Sequence, residues 1–219
     1  MSMRELSLPA KAYLLSCDVA RQRVRDRDRA GYLMRAAALA ELVLRGRLID
    51  HDGMVQAVPG GSAGDLLRDE VQRQVATDRP RTWRAWVRRD GRDALRSQEE
   101  QLAAAGLVDI ERGRVFLLLP RHRVTVRDEA VVSRLAGVVD QTLRGGGDVE
   151  RISREDAALT ALVTAVELKP VVSARDRRQY KDRLRQLEER GGAAVPALRK
   201  VFKELQAVRH AAAHGHGGS

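Results

Sequence analysis

Apolar positions recur at three- and four-residue intervals along most of the chain, the spacing of helices with one buried face. Leu6, Leu8, Ala12, Leu14, Leu15 and Val19 predict a first helix over 6–19. Residues 20–31 are too rich in Arg and Asp to bury and read as a loop, with a strand or turn at its Gly31 end. Leu33, Ala37, Ala40 and Leu44 then share one face of a helix over 33–48, with Gly46 as its stop signal. Residues 50–64 carry Asp50, Asp52, Gly53, Pro59, Gly60 and Gly61 and read as a loop containing a short strand at 54–58. Asp65 opens a helix with Leu67, Val71 and Val75 on one face, broken by Asp78-Arg79-Pro80. A single long helix is predicted from Thr82 to Ala105, burying Trp83, Val87, Ala94 and Leu102, with Gly106 as a left-handed cap.

The period changes at 107–120. Residues 107–110 and 115–119 read as two strands around a turn at Gly113, with Pro120 ending the second. Helical spacing returns at Val131, Leu135 and Val138, closed by Gly145-Gly146-Gly147. It continues at Leu159, Leu162 and Val166, at Tyr180, Leu184 and Leu187, and over 194–212. Ser153 with Asp156, and Ser173 with Asp176, have the spacing of capping boxes. The fold class is therefore mainly α, a single globular helical domain over 1–209 with one β-hairpin, followed by a flexible tail at 210–219. No internal repeat and no long linker divides it.

Composition sharpens the picture. Hydrophobic residues make up 43% of the 219 positions but aromatic ones only 3%, so the core is built from Leu, Val and Ala. Arg and Lys total 40 against 30 Asp and Glu, a net charge of +10, which favours anionic partners. The dominance of Arg over Lys points to a GC-rich, bacterial source. Cys17 is the only cysteine and sits in an apolar run, so no disulfide framework is expected. No signal peptide or membrane span is legible, which leaves the cytoplasm and, at most, peripheral contact with a membrane.

No catalytic constellation is present. The five histidines form no HExxH pattern, and there is no Walker loop, dinucleotide fingerprint or GxSxG elbow. The glycine-rich segment 60–65 lacks the following Lys of a phosphate loop and reads as a helix entry. His210 and His214 have chelating spacing but fall in the predicted tail. No enzyme activity, cofactor or metal is expected.

Three segments resemble the Golgi phosphoprotein 3 family. Leu39 to Leu48, LAELVLRGRL, is similar to its "IELALRGRL" helix. Gly64-Asp65-Leu66-Leu67-Arg68-Asp69-Glu70 is similar to its "GDVLLDEAL" segment. Leu102 to Leu107 with the following hairpin and Phe116-Leu117-Leu118 is similar to its "LVEKGVL … FLLF" stretch. The resemblance implies helices around a central hydrophobic bundle. It also implies a peripheral membrane adaptor that recognises phosphatidylinositol 4-phosphate through an Arg-lined pocket. Arg35 falls on the family's first pocket Arg and Arg92 on its second. The third position is Leu95, with Arg96 adjacent, and the pocket Trp falls in Arg25-Asp26-Arg27, where there is no aromatic. Family hairpins can mediate self-association, which would make Val115, Phe116 and Leu117 an oligomerisation segment.

Forked guanidiniums suit a phosphate held at a partly desolvated site. Arg88, Arg92 and Arg96 are spaced by four and would share a face of the long helix, while Arg21, Arg23, Arg25, Arg27 and Arg29 precede Arg35. The expected anion site is Arg35, Arg92, Arg96 and Arg88, the partner an anionic phospholipid surface with a protein cargo of unknown kind. Two alternatives stand beside it. The helix ending at Gly106 and the hairpin with Arg112, Arg114, Arg121, His122 and Arg123 have the outline of a winged helix that binds nucleic acid. A protein–protein adaptor without lipid binding is the other.

Overall fold

The computed structural model describes residues 5–62, 64–115, 119–168 and 171–214. Two helices form its axis. The first, α2 (Arg27–Leu44), packs against α1 (Leu8–Ser16), α3 (Leu66–Thr77), α4 (Trp83–Arg88), α5 (Gly91–Ala104), α7 (Arg154–Ala165) and α10 (Ala194–His214). The second, α7, also meets α1, α6 (Glu129–Arg144), α9 (Lys181–Gly191) and α10. Alanine explains the centrality of α2: Ala36, Ala37, Ala38 and Ala40 are buried beside Leu33, Met34, Leu39 and Leu42, so neighbouring helices approach closely from several sides. Every residue from Ala157 to Ala165 of α7 is buried as well.

Helix α2 begins six residues earlier than its apolar spacing predicts. Asp26 caps it, its side chain accepting the Arg29 amide, so the polar stretch 27–32 forms the helix's first turns and not a loop. Gly31 lies within the helix because it is the point of contact with Gly91 of α5. What remains of the predicted loop is a two-residue pairing, β1 (Cys17–Asp18) with β2 (Arg23–Val24).

The predicted 50–64 loop contains a hairpin, β3 (Leu48–His51) with β4 (Met54–Ala57), and β4 also pairs with β5 (Arg81–Thr82). Asp52 and Gly53 both have positive φ, 52° and 79°, as the turn of a tight two-residue hairpin requires. Asp-Gly between apolar residues was the signal for it.

The predicted 82–105 helix is two helices. Arg89 is extended and Asp90 is left-handed, at φ 50° and ψ 32°, which turns α5 away from the direction of α4. The segment expected to form one helix before Gly191 is likewise divided into α8 (Ala174–Gln179) and α9 at Tyr180. The Ser173–Asp176 capping box is complete at the start of α8. Both strands of the larger hairpin, β6 (Val108–Val115) and β7 (Leu119–Val126), are longer than predicted. Gly113 pairs with Arg121 and Arg114 with Pro120, so Gly113 lies within the first strand and Pro120 within the second, which it was expected to end. The hairpin is tied to the first one where the Val124 amide donates to the Gln22 carbonyl at 2.8 Å. Helix α10 continues through His214, past the point where the tail was expected.

Candidate anion-binding site

Arg35 projects from the middle of α2 into the junction with α3 and α4. Only 1% of it is exposed, a rare position for a guanidinium. Its Nε donates to the Trp86 carbonyl at 3.3 Å and its Nη1 to Gln74 Oε1 at 3.0 Å. Its Nη2 is buried and has no hydrogen-bond partner. Burial lowers its pKa to about 10, with Asp90 and Glu70 supporting the charge and Arg89 opposing it. Arg35 is therefore a cation at neutral pH.

Arg35 lines a cleft of about 450 Å³ between α2, α3 and α5, and Arg96 lines the same cleft. So do Glu70, Asp90, Asp93 and Glu100. Glu70 is held by Arg73 at 2.6 Å, Asp90 by Arg89 at 3.1 Å and Asp93 by Arg96 at 2.9 Å. Gln74 links the two sides, its amide nitrogen donating to Glu70 at 2.8 Å and to Asp90 at 3.2 Å while its oxygen accepts from Arg35. The role of Gln74 was missed in the sequence, although it stands four residues after Glu70 on the helix face beside the buried Leu67, Val71 and Val75.

The four arginines expected to act together divide into a pair and two outliers. Arg35 and Arg96 share the cleft. Arg92 is 93% exposed and, among the described residues, reaches Asp28 alone, at 4.0 Å. Arg88 belongs to α4, beyond the break at Asp90, and bonds Glu204 of α10 at 3.2 Å. The stripe of Arg88, Arg92 and Arg96 required an unbroken helix, and the left-handed Asp90 removes it. Leu95, at the family's third position, is buried core, and its neighbour Arg96 takes the place beside Arg35.

The arginine-rich segment before α2 is mostly engaged with acids. Asp18 pairs with Arg21 and Arg25, each at 3.2 Å. Arg27 turns inward to a fully buried Glu99, with bonds of 2.6 and 3.1 Å, and Glu99 also accepts from the Tyr13 hydroxyl. Arg27 thus occupies the stretch where the resemblance places a pocket Trp, and it is committed to Glu99. Of the expected oligomerisation segment, Val115 ends β6, and Phe116 and Leu117 lie outside the described residues.

The motifs that carried the resemblance meet in space as scaffold. Glu41 is buried where α1, α2 and α3 converge and accepts from the Leu8 amide at 2.9 Å, from Arg45 at 2.7 Å and from Arg68 at 2.7 Å. Asp65 caps α3 through the Arg68 amide. The Glu41-to-Arg45 helix and the Asp65-to-Arg68 segment are thereby one ion-paired unit. A family model described as Golgi phosphoprotein 3 (GPP34) matches residues 8–205, from the start of α1 well into α10. The chain belongs to the Golgi phosphoprotein 3 family. No curated protein matches it significantly. Among the described residues, no helix of this family member is long and apolar enough to cross a membrane.

Proposed function

We propose that this chain is a non-catalytic, peripheral membrane-binding adaptor module that works on the cytosolic face of a membrane. It holds the phosphorylated headgroup of an acidic lipid, of the phosphatidylinositol 4-phosphate kind, at the Arg35–Arg96 cleft. The observation that carries the reading is the unpartnered Nη2 of a buried, positively charged Arg35 in a cleft shared with Arg96. A buried donor without an acceptor is costly, and a phosphate oxygen would complete it. Arg96 is well exposed, and turning from Asp93 to a phosphate exchanges one anionic partner for another. The acids of the cleft set the limit: a headgroup competes with them, so binding depends on at least two phosphate charges and falls with salt.

The net charge of +10 assists approach to an acidic surface. Self-association through the β6–β7 hairpin and delivery of a protein cargo complete the proposal. The nucleic-acid reading is less favoured, because α5, the helix that ends at Gly106, commits Leu95, Gln98, Glu99 and Leu102 to the interior. Partitioning onto vesicles tests the proposal. Binding to phosphatidylinositol 4-phosphate in neutral lipid, absent on neutral lipid alone, is expected, and equal partitioning onto both overturns it.

A further inference from the structure

A second cleft of about 450 Å³ lies on another side of the molecule, where the end of α7 meets α8, α9 and α10. Its cations are Arg177, Lys181, Arg185, Arg199 and Lys203; its acids are Glu167 and Glu188. The balance is the reverse of the Arg35 cleft, where four acids face two arginines. The excess of positive charge is therefore local and not a reflection of the chain's average.

Both acids are already engaged. Glu167 holds Arg177 at 3.2 Å, and Glu188 pairs with Arg199. Lys181 and Lys203 are exposed and have no acidic partner among the described residues. The floor is apolar, with the buried Leu184 and Phe202. Burial, and then the charge of Arg177, lower the Arg199 pKa. Arg177 and Arg199 line the same partly desolvated cleft, where one multiply charged anion would meet both guanidiniums.

The end of α7 forms one edge of the cleft. Glu167 follows α7 in a left-handed conformation, φ 52°, where helices usually place glycine. The Glu167 amide donates to the Thr164 carbonyl at 3.0 Å and the Leu168 amide to Val163 at 3.1 Å, closing the helix end. Glycine would adopt this turn without the strain that a side chain meets there. Glutamate adds a carboxylate that fixes Arg177 and leaves its carbonyl to accept Arg29 Nη1 at 3.2 Å.

We propose that the cleft between α8, α9 and α10 is a second anion site, independent of Arg35, for a phosphate ester or polyphosphate carrying at least two negative charges. Arg177 and Arg199 supply forked donors at its base, and Lys181 and Lys203 supply mobile point charges at its rim. Its volume is that of a small-ligand pocket and not of an extended nucleic-acid track.

Calorimetric titration with inorganic pyrophosphate tests it. Saturable binding is expected, weakened about tenfold or more in a Lys181→Gln/Lys203→Gln double variant and unchanged in Arg92→Ala, at an exposed arginine that lines neither cleft. Both lysines are exposed, and an unchanged melting curve for the double variant separates lost binding from lost folding. Arg177→Gln, which leaves the Glu167 carboxylate facing the cleft, weakens binding further. Vesicles bearing phosphatidylinositol 4-phosphate distinguish the two sources of the ligand. Partitioning that depends on the same two lysines assigns the site to a lipid headgroup, whereas lysine-independent partitioning alongside pyrophosphate binding assigns it to a free phosphate. Absence of saturable pyrophosphate binding, or equal affinity in the double variant and the parent, overturns the proposal.

Discussion

Gly31 of α2 rests directly on the backbone of Gly91 at the start of α5: a β-carbon on Gly31 would fall 2.5 Å from the Gly91 carbonyl oxygen and 2.8 Å from its carbon. The contact fixes how closely the two helices that carry Arg35 and Arg96 approach. The neighbour is backbone and cannot rotate away. Gly31→Ala is therefore expected to destabilise the fold by about 2 kcal/mol, even though alanine gains ~1 kcal/mol in helix propensity. A urea unfolding curve shifted to lower midpoint checks this; an unchanged or higher midpoint contradicts the contact.

Glu41 is the buried acid that joins α1, α2 and α3. Glu41→Ala would leave Arg68 buried beside Asp65 alone, and would remove the acceptor of the Leu8 amide. Breaking such a pair costs about 3–5 kcal/mol. The variant is expected to express poorly or melt far below the parent. A loss under about 1 kcal/mol would show that Arg68 finds solvent or Asp65 at little cost.

Much of this architecture was legible in the sequence. The apolar spacing of Leu33, Ala37 and Ala40 located the central helix, and Gly106, at φ 69°, caps α5 as its position implied. Serines 153 and 173 begin helices as their spacing suggested. Three things were hidden for physical reasons. The first turns of α2 are polar because they lie at the protein's edge, so periodicity could not find them; the cap at Asp26 could have. The break at Asp90 has no proline, since an aspartate in the left-handed region makes it. The division of the arginines followed from that break. The buried guanidinium did leave a signal: Arg35 stands inside the apolar run 33–40, whereas Arg92 stands in the charged stretch 88–93.

Cys17 offers a probe of the hairpin end of the core. Burial, and then the nearby Glu99 carboxylate, push its thiol up to about 12, with Arg25 opposing. At about pH 8 almost none of it is thiolate, the form that reacts. Native protein is expected to resist a disulfide reagent and to react stoichiometrically once unfolded in urea. Rapid labelling of the native protein would show that the β1–β2 cover opens readily.

Asp176 gives the chain a specific acid sensitivity. Its hydrogen bonds with the Ser173 side chain and backbone, and with Arg144, hold its pKa at about 2 against an ordinary 3.8. A carboxyl depressed by folding stabilises the native state above its unfolded pKa, and this contribution is lost as pH falls from about 4 to about 2. Melting temperature is expected to fall through that window, and Asp176→Asn to fall less steeply. Parallel curves for the two proteins would remove Asp176 from the account.

The pairing of Arg35 with Arg96, and the exclusion of Arg92, is the claim on which the membrane reading turns. Arg35 is buried, so Arg96→Ala and Arg92→Ala are the informative substitutions, both at well-exposed side chains. The measurement is co-sedimentation with vesicles bearing phosphatidylinositol 4-phosphate at physiological salt. Arg96→Ala is expected to weaken partitioning about tenfold, and Arg92→Ala less than about twofold. Equal losses in both variants, or a larger loss in Arg92→Ala, would mean that general surface charge, and not the Arg35 cleft, meets the lipid.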